Sequence, residues 1–278
     1  MNVNFQFDYA RYQRYLSSVP TLVSEHEEVN KEELKTLISC IDNTTLNGND
    51  TEASVRDFAS HTVAMHNADI PYVAALCIYP YFVPLLRKQL GSSPLAIASV
   101  AGGFPAGQLP LQLKLDEVRW VVDAGADEVD YVINRGLFLS QGSSALFDEV
   151  AAAREACGHA RLKVILETAE IPSPELIYQA AIATLSAGAD FVKTSTGKLP
   201  LGATPEAACA MLMAVADYRQ FSKKCLGFKA AGAVRTLAQA QTYYRLAKKI
   251  LSLDFLDKQL FRIGASSLIN QILKYLTV

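Results

Sequence analysis

From residue 39 onward the chain alternates, eight times over, a short β-rich run with a segment of helical period, and that repetition leaves few folds open. Strands are expected near 39–42, 73–78, 95–100, 127–133, 162–167, 189–194, 225–229 and 261–264. Helices are expected near 51–67, 80–90, 110–123, 143–157, 173–187, 204–220, 235–250 and 266–276, several opened by Ser, Thr or Asp and several ended at Gly. Eight βα units in about 240 residues fit a closed (β/α)8 TIM barrel of the α/β class, whereas a doubly wound sheet rarely needs so many. With 278 residues, 50% of them hydrophobic, the chain has material for one large core and is short for two. The expected organisation is a helical N-terminal extension over 1–38 and a single barrel domain over 39–278. Within the extension, residues 1–29 are rich in tyrosine and phenylalanine without clear periodicity, and Asn30 with Glu33 resembles a capping box opening a short helix through Leu37. The repeated AGAD at 124–127 and 187–190 marks helix-to-strand turns.

Composition removes several classes of function. A formal net charge of −2 without runs of like charge gives no footprint for nucleic acid or for an acidic membrane surface, so a small metabolite is the expected partner. The five cysteines lie far apart, with no CxxC pair and no Cys/His cluster at metal-ligand spacing, which fits a reduced, cytoplasmic protein without a metal site. The first residues lack the apolar core of a signal peptide, and no stretch of eighteen apolar residues occurs, so neither secretion nor membrane spanning is expected. No cofactor motif stands out. The Gly197-Lys198 pair is no phosphate-binding P-loop, because Leu199 and Val192 occupy the positions that would need a hydroxyl and a glycine.

Active sites of closed barrels gather at the C-terminal ends of the strands. Asp42, Cys77, Asp130, Glu167, Lys193 and Lys229 fall at or near those ends, each after mostly apolar residues. Residues two apart share a strand face, which groups Phe191 with Lys193, Gly227 with Lys229, Glu128 with Asp130, and Lys163 and Ile165 with Glu167. Inward-facing, these would bring three lysines and several carboxylates together at the mouth. For Lys163, Glu128 and Glu167, a catalytic role and a buried ion-pair network that only fixes the barrel are equally admissible.

The segment Gly188 to Lys198, GADFVKTSTGK, carries the chemistry. A lysine closing a strand is, by itself, usually solvated at the rim. Buried, Lys193 loses hydration, becomes partly neutral near physiological pH, and can attack a carbonyl to form a Schiff base. A second ammonium at Lys229 would disfavour protonation of its neighbour, and Asp130 supplies a carboxylate that moves protons through water. Gly264, Ser266 and Ser267, opening the last helix, form a candidate phosphate cradle with the loop after the seventh strand; an ordinary glycine turn with a serine cap is the alternative. Thr196, Gly197 and Lys198 would close the site, with Lys198 either steadying a phosphate or pairing with a carboxylate. Cys77 is read as a small residue lining the core.

The segments IDNTTLN at 41–47, GADEVDYVIN at 125–134, KTSTGK at 193–198, GFKAAGAVRT at 227–236 and RIGASS at 262–267 together resemble the deoxyribose-phosphate aldolase family, in family order from about Cys40 to Ser267. The resemblance implies a class I, metal-independent lyase that reversibly cleaves 2-deoxy-D-ribose 5-phosphate to D-glyceraldehyde 3-phosphate and acetaldehyde. It assigns imine formation to Lys193, pKa tuning to Lys229 and proton relay to Asp130, and it places Asp42 near the substrate hydroxyls. The chain departs from the family at Gly232-Ala233, where a Gly-Gly pair is usual, and at Tyr81, where many relatives carry a basic residue. The tail before Asn30 is not placed by the resemblance. Another Schiff-base aldolase with a different donor or acceptor, or a non-catalytic phosphosugar-binding barrel, are the competing readings. The sequence does not set the oligomeric state; a homodimer is compatible with it.

Overall fold

A computed structural model describes residues 5–23, 30–253 and 256–276. Eight parallel strands, β1 (Ile41–Thr44), β2 (Ala75–Ile78), β3 (Ala96–Ala101), β4 (Glu128–Val132), β5 (Arg161–Ile165), β6 (Phe191–Lys193), β7 (Gly227–Ala231) and β8 (Phe261–Ala265), pair in chain order, and β8 returns to β1. The sheet is therefore closed, the (β/α)8 barrel that the alternation predicts. Helices α1 (Tyr9–Ser17) and α2 (Lys31–Ser39) precede it. The outer ring is formed by α3 (Glu52–Ala64), α4 (Val83–Leu90), α5 (Leu111–Asp123), α6 (Arg135–Gln141), α7 (Ser143–Cys157), α8 (Pro174–Ser186), α9 (Pro205–Ser222), α10 (Leu237–Leu251) and α11 (Leu268–Leu276).

Local chemistry explains the boundaries. Thr51, Ser173, Thr204 and Thr236 each accept a hydrogen bond from the third residue of the helix that follows, satisfying an amide the helix cannot. In both AGAD turns the aspartate reaches the neighbouring strand: Asp127 accepts from the Ile97 amide and Asp190 from the Leu162 amide, each at 2.8 Å. The repeat is thus repeated turn chemistry, tying each new strand to the one before it.

Three expectations need correction. A helix, α1, forms in the segment read as aperiodic, because its stability comes from outside itself. Asp8 caps it, Arg11 pairs with Asp217 at 2.5 Å, and Tyr12 is buried among Phe7 and the helices of the barrel. At α2, Asn30 does cap, accepting from the Glu32 and Glu33 amides, but the Glu33 carboxylate does not return to it. It reaches Arg245 at 2.7 Å and Gln241 at 3.0 Å on α10 instead. The helix also runs to Ser39, two residues beyond Leu37, and Leu34, Leu37 and Ile38 belong to the same core as the barrel helices. Finally, β1 continues to Thr44, which sets Asp42 within the strand and not at its end.

The apolar core lies mainly between the barrel wall and the helix ring. Inside the barrel the two halves differ. Ala75, Cys77, Ala98 and Val100, from β2 and β3, make a small apolar cluster with Leu46, while the opposite half carries the charged side chains, packed around Phe191.

Candidate active site

The strand register builds the charged half. Lys193 of β6 lies directly beside Lys229 of β7, Asp130 of β4 beside Lys163 of β5, and Lys229 beside Arg262 of β8. With Asp42 and Glu128 these residues form one network, in which Lys193 and Glu128 are 3% exposed, Arg262 is 1% exposed and the others are wholly buried. Room for it comes partly from Gly264, where a Cβ would stand 3.1 Å from the Lys229 side chain.

The connections are unequal. Lys163 meets three carboxylates, Asp42 at 2.6 Å and Glu128 and Asp130 at 2.8 Å each. Lys229 meets two, Asp42 and Asp130, the latter at 2.7 Å. Lys193 meets one, Asp130 Oδ2, at 2.7 Å. Arg262 takes Asp42 Oδ1 at 2.5 Å and both oxygens of Glu128, at 3.0 and 2.7 Å. The half-buried Arg161 reaches Glu128 from the solvent side.

These contacts separate the lysines electrostatically. Burial lowers the Lys193 pKa below that of an ordinary lysine; Asp130 opposes it only in part, and the Lys229 charge adds to the lowering. Burial would lower Lys229 too, but Asp130 and Asp42 outweigh it and hold that ammonium above the usual range. Lys163 is held higher still by its three carboxylates. Asp130 stays ionised: three lysines overcome the burial that would protonate it. Burial pushes the Cys77 thiol up, which leaves it neutral.

Above the network lies a cavity of about 270 Å³ at the barrel mouth, lined by Thr44, Leu46, Asn47, Lys193, Thr196, Gly197, Lys198, Ala231, Gly232, Val234, Gly264, Ala265 and Ser266. Of the three inner lysines, only Lys193 opens onto it. The structure thus brings Lys193, Thr196, Gly197, Lys198, Gly232, Gly264 and Ser266 to one surface. Asp130 and Lys229 lie just beneath, in contact with Lys193 or its carboxylate partner. Asp42 also lies beneath, both oxygens engaged by cations, so any influence on a ligand runs through those side chains.

Ser266 and Ser267 form the turn before α11, which starts at Leu268, and Ser267 does not line the cavity. Ala233 lies outside the wall, exposed, with φ 62°. Gly232 beside it has φ 77° and its Cα packs against Gly202, a proximity that a Cβ would obstruct. Lys198 donates to the Leu46 carbonyl and pairs with no carboxylate among the described residues. Glu167 is a further correction. It lies beyond the end of β5 at φ 55°, so the strand alternation that grouped it with Lys163 no longer applies, and its carboxylate accepts from the Thr196 amide and hydroxyl.

Two contributors escaped the sequence reading. Thr194 clamps β6 to β7 by donating to the Ala231 carbonyl and accepting from its amide, both at 3.0 Å. Arg262 was quoted only as part of a motif, although it stands two residues before Gly264 and so shares its inward face.

The family model described as DeoC/LacD family aldolase matches residues 36–271. The chain belongs to that family. Among relatives of this DeoC/LacD aldolase, deoxyribose-phosphate aldolase of Mus musculus is 41% identical over 247 residues, covering 84% of this chain and 78% of the mouse protein. The Homo sapiens protein of the same name is 40% identical over 248 residues, with the same coverage. Among solved structures, the tetrameric deoxyribose phosphate aldolase from Aeropyrum pernix superposes with a TM-score of 0.66 at 26% identity, covering 95% of this chain and 97% of that one.

Proposed function

We propose that the chain is a class I, metal-independent aldolase that cleaves 2-deoxy-D-ribose 5-phosphate to D-glyceraldehyde 3-phosphate and acetaldehyde, and runs the condensation in reverse. One observation carries the reading: of the three lysines inside the barrel, Lys163, Lys193 and Lys229, the single one open to the cavity is also the one whose pKa is lowered. The names of the mouse and human relatives supply the substrate.

Neutral Lys193 Nζ attacks the C1 aldehyde of the open-chain sugar, and water leaves from the carbinolamine to give an iminium. The iminium withdraws the C2–C3 bonding pair as the C3 hydroxyl loses its proton. D-Glyceraldehyde 3-phosphate departs, and the enamine left on Lys193 takes a proton at C2. Hydrolysis then releases acetaldehyde. Asp130, 2.7 Å from Nζ, is placed to pass protons through a water, while Lys229 holds that carboxylate and keeps a second positive charge beside the nucleophile. Thr196, Gly197, Lys198, Gly232, Gly264 and Ser266 are assigned to the sugar and its phosphate, with Ala233 and Ser267 supporting their turns and Asp42 acting through Lys229. Because Ala233 stands outside the cavity wall, the departure from Gly-Gly gives no reason to prefer a different donor. A homodimer and a cytoplasmic location are proposed with this reading; among the described residues no helix is long and apolar enough to cross a membrane.

Incubation with acetaldehyde and borohydride tests it. A stable N-ethyl adduct is expected at Lys193, and an adduct confined to exposed lysines would sink the reading. Activity on deoxyribose 5-phosphate is expected to survive exhaustive chelation; loss with chelator and return with zinc would move the protein to a metal mechanism.

A further inference from the structure

The barrel interior holds an odd sum of charge. Three buried carboxylates, Asp42, Glu128 and Asp130, face four buried cations, Lys163, Lys193, Lys229 and Arg262, while the charge of Arg161, which also pairs with Glu128, stays partly solvated. An uncompensated charge in so dry a compartment is costly, and release of one proton would relieve it. Arginine cannot release it. Among the lysines, Lys163 would forfeit three ion pairs, Lys229 two and Lys193 one, so Lys193 deprotonates at the least cost.

We propose that Arg262, low in the barrel, is a positioning residue whose fixed positive charge makes Lys193 the lysine that stands neutral and nucleophilic. The inference rests on the Schiff-base reading of Lys193 and extends it to a residue that does not line the cavity. Arg262 acts by occupancy. It fills Asp42 Oδ1 and both Glu128 oxygens, leaving Asp42 Oδ2 for Lys163 and Lys229 to share. Its guanidinium is kept in place by the Lys258 carbonyl, at 2.6 Å, and lies over the Phe191 ring. The groups around Lys193 are then Asp130 from β4, Lys229 from β7 and the neutral Cys77 from β2, with Asp42 and Lys163 one contact further away and Glu128 and Arg262 one beyond those. Glu167, at the mouth, makes no ion pair with these lysines among the described residues.

Counting charge gives the test. Arg262→Met leaves three buried cations on three carboxylates, a balanced set in which burial and Lys229 still lower Lys193 but an excess of buried positive charge no longer adds to them. Glu128→Gln alone leaves four cations on two carboxylates and acts in the opposite sense. The double variant restores an excess of one cation. The measurement is the rate of borohydride-trapped imine formation with acetaldehyde at Lys193, followed across pH.

The midpoint of that profile is expected to rise by about one unit or more in Arg262→Met, to fall in Glu128→Gln, and to move back toward wild type in the double variant. Arg262→Lys, which keeps the charge, should lie nearer to wild type than Arg262→Met. A slower Arg262→Met with an unmoved midpoint, or a double variant no closer to wild type than the single, would overturn the inference and leave Arg262 a structural residue. Should Arg262→Met fail to fold, Glu128→Gln decides, and a midpoint that does not fall is then the contrary result. Wild-type protein that is not trapped at Lys193 would instead overturn the aldolase reading and this inference together.

Discussion

Two lysines side by side on adjacent strands perform different work because one carboxylate more or less decides the protonation of a buried amine. Lys193→Arg removes the nucleophile and should abolish both trapping and turnover. Lys229→Met should leave the amine but free Asp130 Oδ2 for Lys193 alone and remove a neighbouring positive charge, both of which favour the protonated form. The pH profile of imine formation is therefore expected to move up by about one unit, an interaction of roughly 1.4 kcal/mol, and an unmoved profile would remove the tuning role from Lys229. Ala233 presents a backbone question. Its left-handed conformation costs a non-glycine residue roughly 1–2 kcal/mol, while glycine gives back about 0.4–1 kcal/mol through the unfolded chain. Ala233→Gly should thus stabilise the protein slightly in urea titration and leave kcat/KM for deoxyribose 5-phosphate unchanged; a selective gain on the phosphorylated substrate would show that this turn shapes the phosphate site after all.

At the scale of elements, the sequence was most legible where an element carries its own signal and least where its neighbours make it. The helix from Ser143 to Cys157 was read to the residue, and Thr51, Ser173 and Thr204 announced the helices they cap. Two helices were missed. α6 is short, contains Gly136 and is cut from α7 by Gly142 at φ 78°, so no period develops. α1 has nine residues, and isolated helices so short are marginal in water. It exists because Tyr12 and Phe7 pack toward Tyr178 of α8 and because Arg11 and Tyr178 converge on Asp217 of α9. Tyr12→Ala should therefore cost about 3–5 kcal/mol of stability in chemical denaturation, the range for deleting a buried aromatic ring. The pH profile of trapping at Lys193 should not change, since α1 packs on the outside of the ring; a shifted profile would mean that the extension reaches the site.

For the whole molecule, alternation told which residues point inward but could not tell how deep they lie. Depth is set by the stagger of strands around the barrel, and only the register shows that Asp42 stands beside Gly264, that Lys229 stands beside Arg262, and that the network continues below the mouth where the polar residues were expected. That buried network is expected to make the fold acid-sensitive. Burial would raise the Glu128 carboxyl, but Lys163 and Arg262 outweigh it and hold the folded value at about 2 against an ordinary 4.5; Asp42 and Asp130 are held below their usual range by the same kind of contact. A carboxyl with a lowered folded pKa takes up its proton more readily in the unfolded chain, so its stabilisation is complete above the unfolded value and fades as pH falls toward the folded one. Lys163 and Lys229, with raised values, contribute fully throughout acid conditions and lose their contribution only above the ordinary lysine range, so they do not offset the loss. Glu128 alone corresponds to about 3 kcal/mol lost across that window. Urea titrations at steps from about pH 5 down to about pH 3 should show unfolding free energy falling steadily in wild type and less steeply in Glu128→Gln, which has no carboxyl there to protonate. Equal slopes would mean that Glu128 keeps an ordinary pKa in the folded protein and that Arg262 and Lys163 do not hold it as an anion.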